Sequence, residues 1–167
     1  WIVFSSDHGE MLGEHGLLAK KVFYEGAVNV PCLFRPPNGQ GQGSTDALVN
    51  HLDIVATLID ICGAAPLQDS PSQSIAPLLR GESATSHRQA VLSELGLPPS
   101  AFVMVRTNEH KLSADAKTRE PIELYDLAED PAELHNLIER EDYAEIRQHL
   151  LTDVMNPMLS RLDTTAW

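Results

Sequence analysis

The sequence predicts an α/β fold whose first half alternates strand and helix signals and whose second half forms a small antiparallel four-stranded sheet packed on a C-terminal helix. Three observations predict it. The chain opens on the apolar run Trp1–Phe4, four short β-like runs follow one another without intervening helices, and Tyr143–Met158 carries apolar residues at helical spacing. The 167 residues are 43% hydrophobic and 22% charged, an ordinary composition for a globular chain long enough to bury a core.

The first half carries both strand and helix signals. Its opening apolar run predicts a strand already in progress, whose neighbours we expect in a preceding part of a longer protein, so that one apolar face is exposed. Ser5–Gly9 ends this strand, and Val28–Phe34 is a second strand candidate. Apolar residues from Leu52 to Cys62 recur at helical spacing and predict a helix, while Ile75–Leu79 predicts a short one.

The second half changes character. Its β-like runs, separated by turn residues, are Ala90–Leu95, Ala101–Thr107, His110–Ala114 and Ile122–Asp126. Asp130 is a good N-cap and Pro131 fits a first helical position, so the closing helix is predicted to begin there. We therefore expect two domains: residues 1–85 as the C-terminal piece of a larger α/β domain, and residues 86–167 as a small α+β subdomain.

Charge and cysteine content exclude several classes of protein. The chain has 12 Lys and Arg against 24 Asp and Glu, a net charge of −12, which disfavours nucleic acid and anionic membrane surfaces as partners. Its apolar runs are too short to span a bilayer. Cys32 and Cys62 cannot form a disulfide framework or a four-cysteine zinc site, and their apolar neighbours predict buried, inert thiols. The compartment stays open between cytoplasmic and periplasmic or secreted.

The stretch with the clearest chemical content begins where the first strand ends. Asp7 offers a hard oxygen ligand and His8 a nitrogen ligand, so this pair could help to hold a divalent cation. Gly9 supplies the break that lets two adjacent side chains reach one ion. Lys20 follows a glycine-rich loop, and a lysine beside a cation is a natural receptor for a tetrahedral oxyanion. The alternative is a strand-ending turn in which Asp7 is a cap and His8 bonds to backbone.

The string Ser6-Asp7-His8-Gly9-Glu10-Met11-Leu12-Gly13-Glu14-His15-Gly16, followed by Lys20, Tyr24-Glu25-Gly26 and Val30-Pro31, resembles the C-terminal part of type I sulfatases of the alkaline phosphatase superfamily. Later landmarks agree in order. They are Val49–Leu58, Pro77–Gly81, Val105–Leu112 and Glu123–Leu137, and together they cover nearly the whole chain.

The resemblance implies a fold and a set of roles. The fold would be the C-terminal portion of an alkaline-phosphatase-like sandwich, the edge of its large sheet plus the small antiparallel sheet and helix. Asp7 and His8 match metal ligands of that family, and Lys20 matches the lysine that holds a sulfate oxygen. The cation would be Ca²⁺, with Mn²⁺ or Mg²⁺ as alternatives, and the nucleophile a formylglycine made in a Cys/Ser-x-Pro-x-Arg motif.

This sequence contains no Cys/Ser-x-Pro-x-Arg motif. We therefore expect the formylglycine in a missing N-terminal part, and expect this chain alone to be inactive and to hold only half of the metal site. His15 is a second catalytic candidate, as a proton donor to the leaving group, and a structural role in the loop is its alternative.

The implied parent protein hydrolyses a sulfate ester, and the expected partner is a small-molecule or glycan sulfate ester, with a homo-oligomer possible. One alternative is a phosphonate or phosphate ester hydrolase of the same superfamily, since sulfate and phosphate are nearly isosteric. Another is a noncatalytic fragment or interaction module.

Overall fold

The computed structural model describes residues 1–37, 43–82, 87–97 and 100–161. Strand β1 (Ile2–Ser5) pairs antiparallel with β2 (Cys32–Arg35), and Ser5 lies opposite Cys32. The expected exposed apolar face is present: Ile2 is 62%, Phe4 59% and Leu33 60% exposed.

The second strand is shorter than the sequence predicts. It begins at Cys32 because Val28 closes a one-turn helix, α1 (Glu25–Val28), whose turn is held by the Val28 amide donating to the Tyr24 carbonyl at 3.1 Å. The apolar residues that predict one strand therefore form a helical turn followed by a shorter strand.

Helix α2 (His51–Ile61) confirms the helix predicted from apolar spacing, and α3 (Ala76–Leu79) confirms the short one. A reciprocal capping box opens α2. The Asp53 amide donates to the Asn50 side chain at 3.2 Å, and the Asn50 amide donates to Asp53 Oδ2 at 3.2 Å. The helix therefore starts at a fixed residue, His51, which contacts Ser6 in the turn that follows β1.

We predict that Asn50→Ala lowers the free energy of unfolding by about 0.5–2 kcal/mol, because it removes the side-chain acceptor of this box. Denaturant unfolding measures the change. Asn156→Ala is the matched control, since Asn156 is exposed at the start of a later helical turn with no side-chain cap bond, and it should leave stability within about 0.5 kcal/mol. Equal effects of the two substitutions would contradict the cap assignment.

The four predicted strands of the second half form one antiparallel meander in sequence order. They are β3 (Val91–Leu95), β4 (Phe102–Arg106), β5 (His110–Asp115) and β6 (Pro121–Asp126). Leu112 lies opposite Val105 on one side and Leu124 on the other, and all three side chains are fully buried. This row of apolar side chains is the centre of the core.

The closing helical segment covers this core face. It runs as α4 (Ala144–His149), a π-helical turn (Leu150–Met155) and α5 (Asn156–Leu159). Leu150, Met155 and Leu159 are each at most 2% exposed and join the core cluster of the sheet. The predicted packing of a four-stranded antiparallel sheet on a C-terminal helix is therefore confirmed.

The predicted start of that helix at Asp130 and Pro131 is wrong. Residues 127–139 form turns, and the first helical turn is Glu141–Tyr143. Asp130 does cap a turn, because its Oδ2 accepts the His135 amide at 2.8 Å. Glu133, however, has φ 56°, a backbone conformation that no residue inside a right-handed helix adopts, and its side chain is buried.

Two further predictions concern the cysteines and the domain boundary. Cys32 and Cys62 are free, as predicted, but both are exposed, so the prediction of buried thiols is wrong. The boundary expected between residues 85 and 86 lies outside the described residues. Within the described ranges, no helix combines the length and the apolar composition needed to cross a bilayer.

Candidate functional site

The turn that follows β1 is held by backbone contacts on both sides of Asp7. The Ser6 hydroxyl donates to the His8 carbonyl at 2.8 Å. The Ser6 carbonyl lies 2.8 Å from Nε2 of His51, the first residue of α2, so that ring nitrogen donates to it. The end of the strand is therefore tied to the start of a capped helix, and the direction in which Asp7 and His8 leave the strand is restricted.

His8 presents one ring nitrogen to backbone and the other to Asp7. Nδ1 lies 2.8 Å from the Gly9 carbonyl, which can only accept, so Nδ1 carries the proton in the neutral ring. Nε2 then keeps its lone pair and lies 3.4 Å from Asp7 Oδ2. A histidine whose one N–H is bound to a carbonyl, with the other nitrogen free beside a carboxylate, is a typical arrangement for metal ligation.

Asp7 is exposed, and its pKa is lowered first by the charge that His8 carries when protonated and, to a smaller extent, by Lys20. Asp7 is therefore an ionised carboxylate near neutral pH. Asp7 and His8 alone are two ligands, and the described parts of the chain contain no group of three or more His, Cys, Asp or Glu residues able to hold a metal ion. These two side chains could supply part of a cation site but not the whole of one.

Lys20 lines the same open cleft as Asp7 and His8, a concavity of about 2030 Å³. The cleft is also lined by Leu33 of β2, by His51 at the start of α2 and by Leu92 of the edge strand β3. Asp7, His8 and Lys20 therefore line one cleft. The neighbouring residue Lys21 lines this cleft as well.

His15 is placed differently. It has φ 51° in a tight turn, and its ring stacks on Tyr24 with centroids 3.9 Å apart and an angle of 5° between the planes. His15 is not among the residues that line the cleft. In this position the His15 ring has a packing contact with Tyr24.

A partly buried ion cluster joins the loop to the small sheet. Lys111 Nζ is 2.7 Å from Glu25 Oε1 and 2.6 Å from Glu133 Oε1, and it donates to the Phe23 carbonyl at 2.9 Å. Arg106 Nε donates to the same Glu25 oxygen at 3.2 Å. Although burial would raise the pKa of Glu25, Lys111 and Arg106 outweigh it and hold that pKa below its usual value. The four side chains are therefore a charged set at the junction of loop and small sheet.

Sequence reasoning did not find this cluster. In β5, Lys111 shares its face with Ser113 while Leu112 and Ala114 point to the core, a pattern typical of a solvated strand face. The local sequence offers one signal, the acidic residue Glu25 that follows Tyr24. Its partners, more than 80 residues later, could not be read from spacing.

The architecture described here, a short strand pair followed by a four-stranded antiparallel sheet with a C-terminal helix, is that of the C-terminal portion of the sulfatase fold. The family model described as "N-sulphoglucosamine sulphohydrolase, C-terminal" matches residues 13–159. The chain belongs to this family, and it is homologous to type I sulfatases over their C-terminal third.

Three relatives illustrate the similarity. The choline-sulfatase of Rhizobium meliloti is 36% identical over 141 residues, which cover 83% of this chain and 27% of the relative. A structure solved in complex with its substrate D-glucosamine-2-N,6-O-disulfate is 26% identical with a TM-score of 0.83, covering 99% of this chain and 35% of that one. The phosphonate monoester hydrolase of Agrobacterium radiobacter is 28% identical with a TM-score of 0.80, covering 96% and 35%.

The chain spans about a third of the length of the relatives it matches. The similarity therefore concerns one region of a sulfatase, and activity, substrate and partners of a whole protein are matters for proposal.

Proposed function

We propose that this chain is the C-terminal region of a sulfatase that hydrolyses a sulfate ester, and that it contributes half of a divalent metal site and a sulfate-binding lysine. The observation that carries the proposal is the shared cleft lined by Asp7, His8 and Lys20. Membership of the sulfatase C-terminal family supports the reaction class.

In this proposal Asp7 supplies a carboxylate oxygen and His8 supplies Nε2 to the cation. Ca²⁺, or alternatively Mn²⁺ or Mg²⁺, would supply positive charge to the sulfate oxygens when bound. The His8 Nδ1–H donation to Gly9 fixes the ring so that Nε2 stays directed away from the backbone. Lys20 adds a mobile ammonium whose charge complements the charge that develops on the transferring group.

The nucleophile and the remaining cation ligands would come from outside this sequence, because it contains no Cys/Ser-x-Pro-x-Arg motif. We therefore expect the isolated chain to be inactive. His15 does not line the shared cleft, so acting as the proton donor to the leaving group would require a different position of its loop.

The second candidate is a phosphonate or phosphate ester hydrolase. The structural similarity to a phosphonate monoester hydrolase, with a TM-score of 0.80, supports this second candidate. The two ester classes place the same tetrahedral anion against the same cation and lysine, so the residues of this chain serve both.

The test uses the protein expressed from the complete reading frame. We expect kcat/KM for 4-nitrophenyl sulfate to exceed that for 4-nitrophenyl phenylphosphonate, and dialysis against a chelator to lower the sulfatase rate at least tenfold, with recovery on adding Ca²⁺. A reversed substrate order would favour the phosphonate hydrolase. A reading frame without the nucleophile motif, together with no hydrolysis of either ester, would favour the noncatalytic module.

A further inference from the structure

The ion cluster of Glu25, Lys111, Glu133 and Arg106 joins the small sheet to the loop of the candidate site. Lys111 and Glu133 are both 2% exposed, so their charges are shielded from water and interact strongly. Lys111 binds the Phe23 carbonyl directly, three residues after Lys20. Glu133 also binds the backbone of this segment, because its Oε2 accepts a hydrogen bond from the Glu25 amide at 2.7 Å.

A further contact connects α1 to the segment that contains Asp7 and His8. The Gly9 amide donates to the Ala27 carbonyl at 2.8 Å, so the residue next to His8 is bound to the helix that carries Glu25. The approach is close, since a Cβ at Gly9 would lie 2.0 Å from the carbonyl oxygen of Gly26. A movement of α1 would therefore move Gly9, and with it the proposed ligand at position 8.

Fixing strand and loop together does not by itself require buried charge. Exchanging the lysine and both carboxylates together for apolar side chains would remove their desolvation cost, and such replacements of a whole set are often neutral or stabilising. Charged groups fix the relative positions of their partners more precisely than apolar contacts do. Lys111 Nζ lies within 2.6–2.9 Å of one carbonyl oxygen and two carboxylate oxygens.

We propose that Lys111, held by Glu133, is a positioning residue that sets the place of Lys20 and of the pair Asp7 and His8 by fixing residues 23–27. This inference rests on the proposed function for its catalytic consequence. Its structural part, the coupling from Lys111 to Gly9, stands on the contacts alone.

The structural part is tested by hydrogen exchange on the complete protein. We expect Lys111→Met to increase the exchange rate of the Gly9 amide at least tenfold more than it increases the exchange rate of the β4 amides. Leu112→Ala is the matched control, because Leu112 is the neighbouring residue of the same strand, is fully buried, and faces the core. It should lower the thermal midpoint without selectively exposing Gly9. Parallel loss of protection at Gly9 and β4 in both variants would overturn the proposal.

The catalytic part is read by kinetics with 4-nitrophenyl sulfate and by inhibition with inorganic sulfate. Lys111→Met should weaken sulfate inhibition and lower kcat/KM by about tenfold or more, whereas Leu112→Ala should leave both unchanged below its thermal midpoint. If Lys111→Met does not fold, Glu133→Gln serves, since it keeps an acceptor for the Glu25 amide and removes the charge; the same changes in smaller size are expected. Unchanged sulfate inhibition in a folded variant would overturn the positioning role.

Failure of the proposed function has a different signature. A wild-type complete protein that hydrolyses no sulfate ester would refute that function, while the exchange of the Gly9 amide would still decide whether Lys111 holds the loop.

Discussion

Replacing Lys20 by Ala in the complete protein is expected to lower kcat/KM for an aryl sulfate by about 10²–10³-fold, the usual effect of deleting one group that stabilises a developing oxyanion. The physical reason is the position of the side chain: Lys20 faces the same cleft as Asp7 and His8, and its charge reaches Asp7. The loss should fall mainly on kcat if the contact strengthens in the transition state.

Lys21→Ala is the control for the Lys20 substitution. Both lysines are exposed and line the cleft, so the two variants remove the same charge from the same region. We expect the Lys21 variant to retain activity within a fewfold of wild type. Equal losses would mean that only general electrostatic attraction is at work, and a larger loss for Lys21→Ala would move the anion contact to that residue.

Asp53→Asn is expected to lower the free energy of unfolding by about 3–5 kcal/mol, the range for breaking a buried ion pair by removing one partner. Asp53 is fully buried. It accepts from Arg88 Nε at 2.7 Å, from His87 Nε2 at 3.3 Å and from the Gln73 amide at 2.8 Å. Asn would leave the Arg88 guanidinium, itself mostly buried, without its carboxylate.

Asp60→Asn is the matched control, since Asp60 lies on the same helix and pairs with Arg80 at 3.5 Å in a half-exposed position. Exposed pairs contribute little, so a change within about 1 kcal/mol is expected. Denaturant unfolding of both variants measures the difference. A change at Asp53 no larger than that at Asp60 would show that the buried pair does not stabilise the fold.

The same pair gives stability a pH dependence. Burial raises the pKa of Asp53, but Arg88 and the amides of Gln73 and Asn50 outweigh it, so the pKa in the folded protein is lowered. A lowered folded pKa stabilises the protein above the ordinary aspartate value of about 3.9, and this contribution is lost as the pH falls through the folded value. Wild type should therefore lose more stability on acidification below about pH 4 than Asp53→Asn does.

Much of the fold could be predicted from local signals. The helix at His51–Ile61 has apolar spacing and a capping residue, and the four strands of the small sheet are short β-branched or apolar runs between turns. The Asp130–Pro131 start failed because a good N-cap residue also caps turns, and tertiary contacts of Glu133 decided between the two.

The candidate site likewise has a part that the sequence predicts and a part that only the structure reveals. Asp7, His8 and Lys20 lie close together in sequence, and a strand end followed by a loop brings them to one cleft. The contacts that hold them are long-range: His51 reaches Ser6, and Lys111 reaches Phe23 over 88 positions. A lysine on a strand with serine beside it is normally hydrated, so only the packed structure identifies Lys111 as buried.

The long separation between Lys111 and Phe23 has a consequence for biosynthesis. Within the described part of the chain, the members of the apolar core cluster all lie between residues 90 and 159. The half of this chain that leaves the ribosome last therefore contains this core. The segment with Lys20 is translated early, yet its ionic anchors arrive with Lys111 and Glu133. A nascent chain stopped before Lys111 would carry the proposed sulfate-binding groups without those anchors.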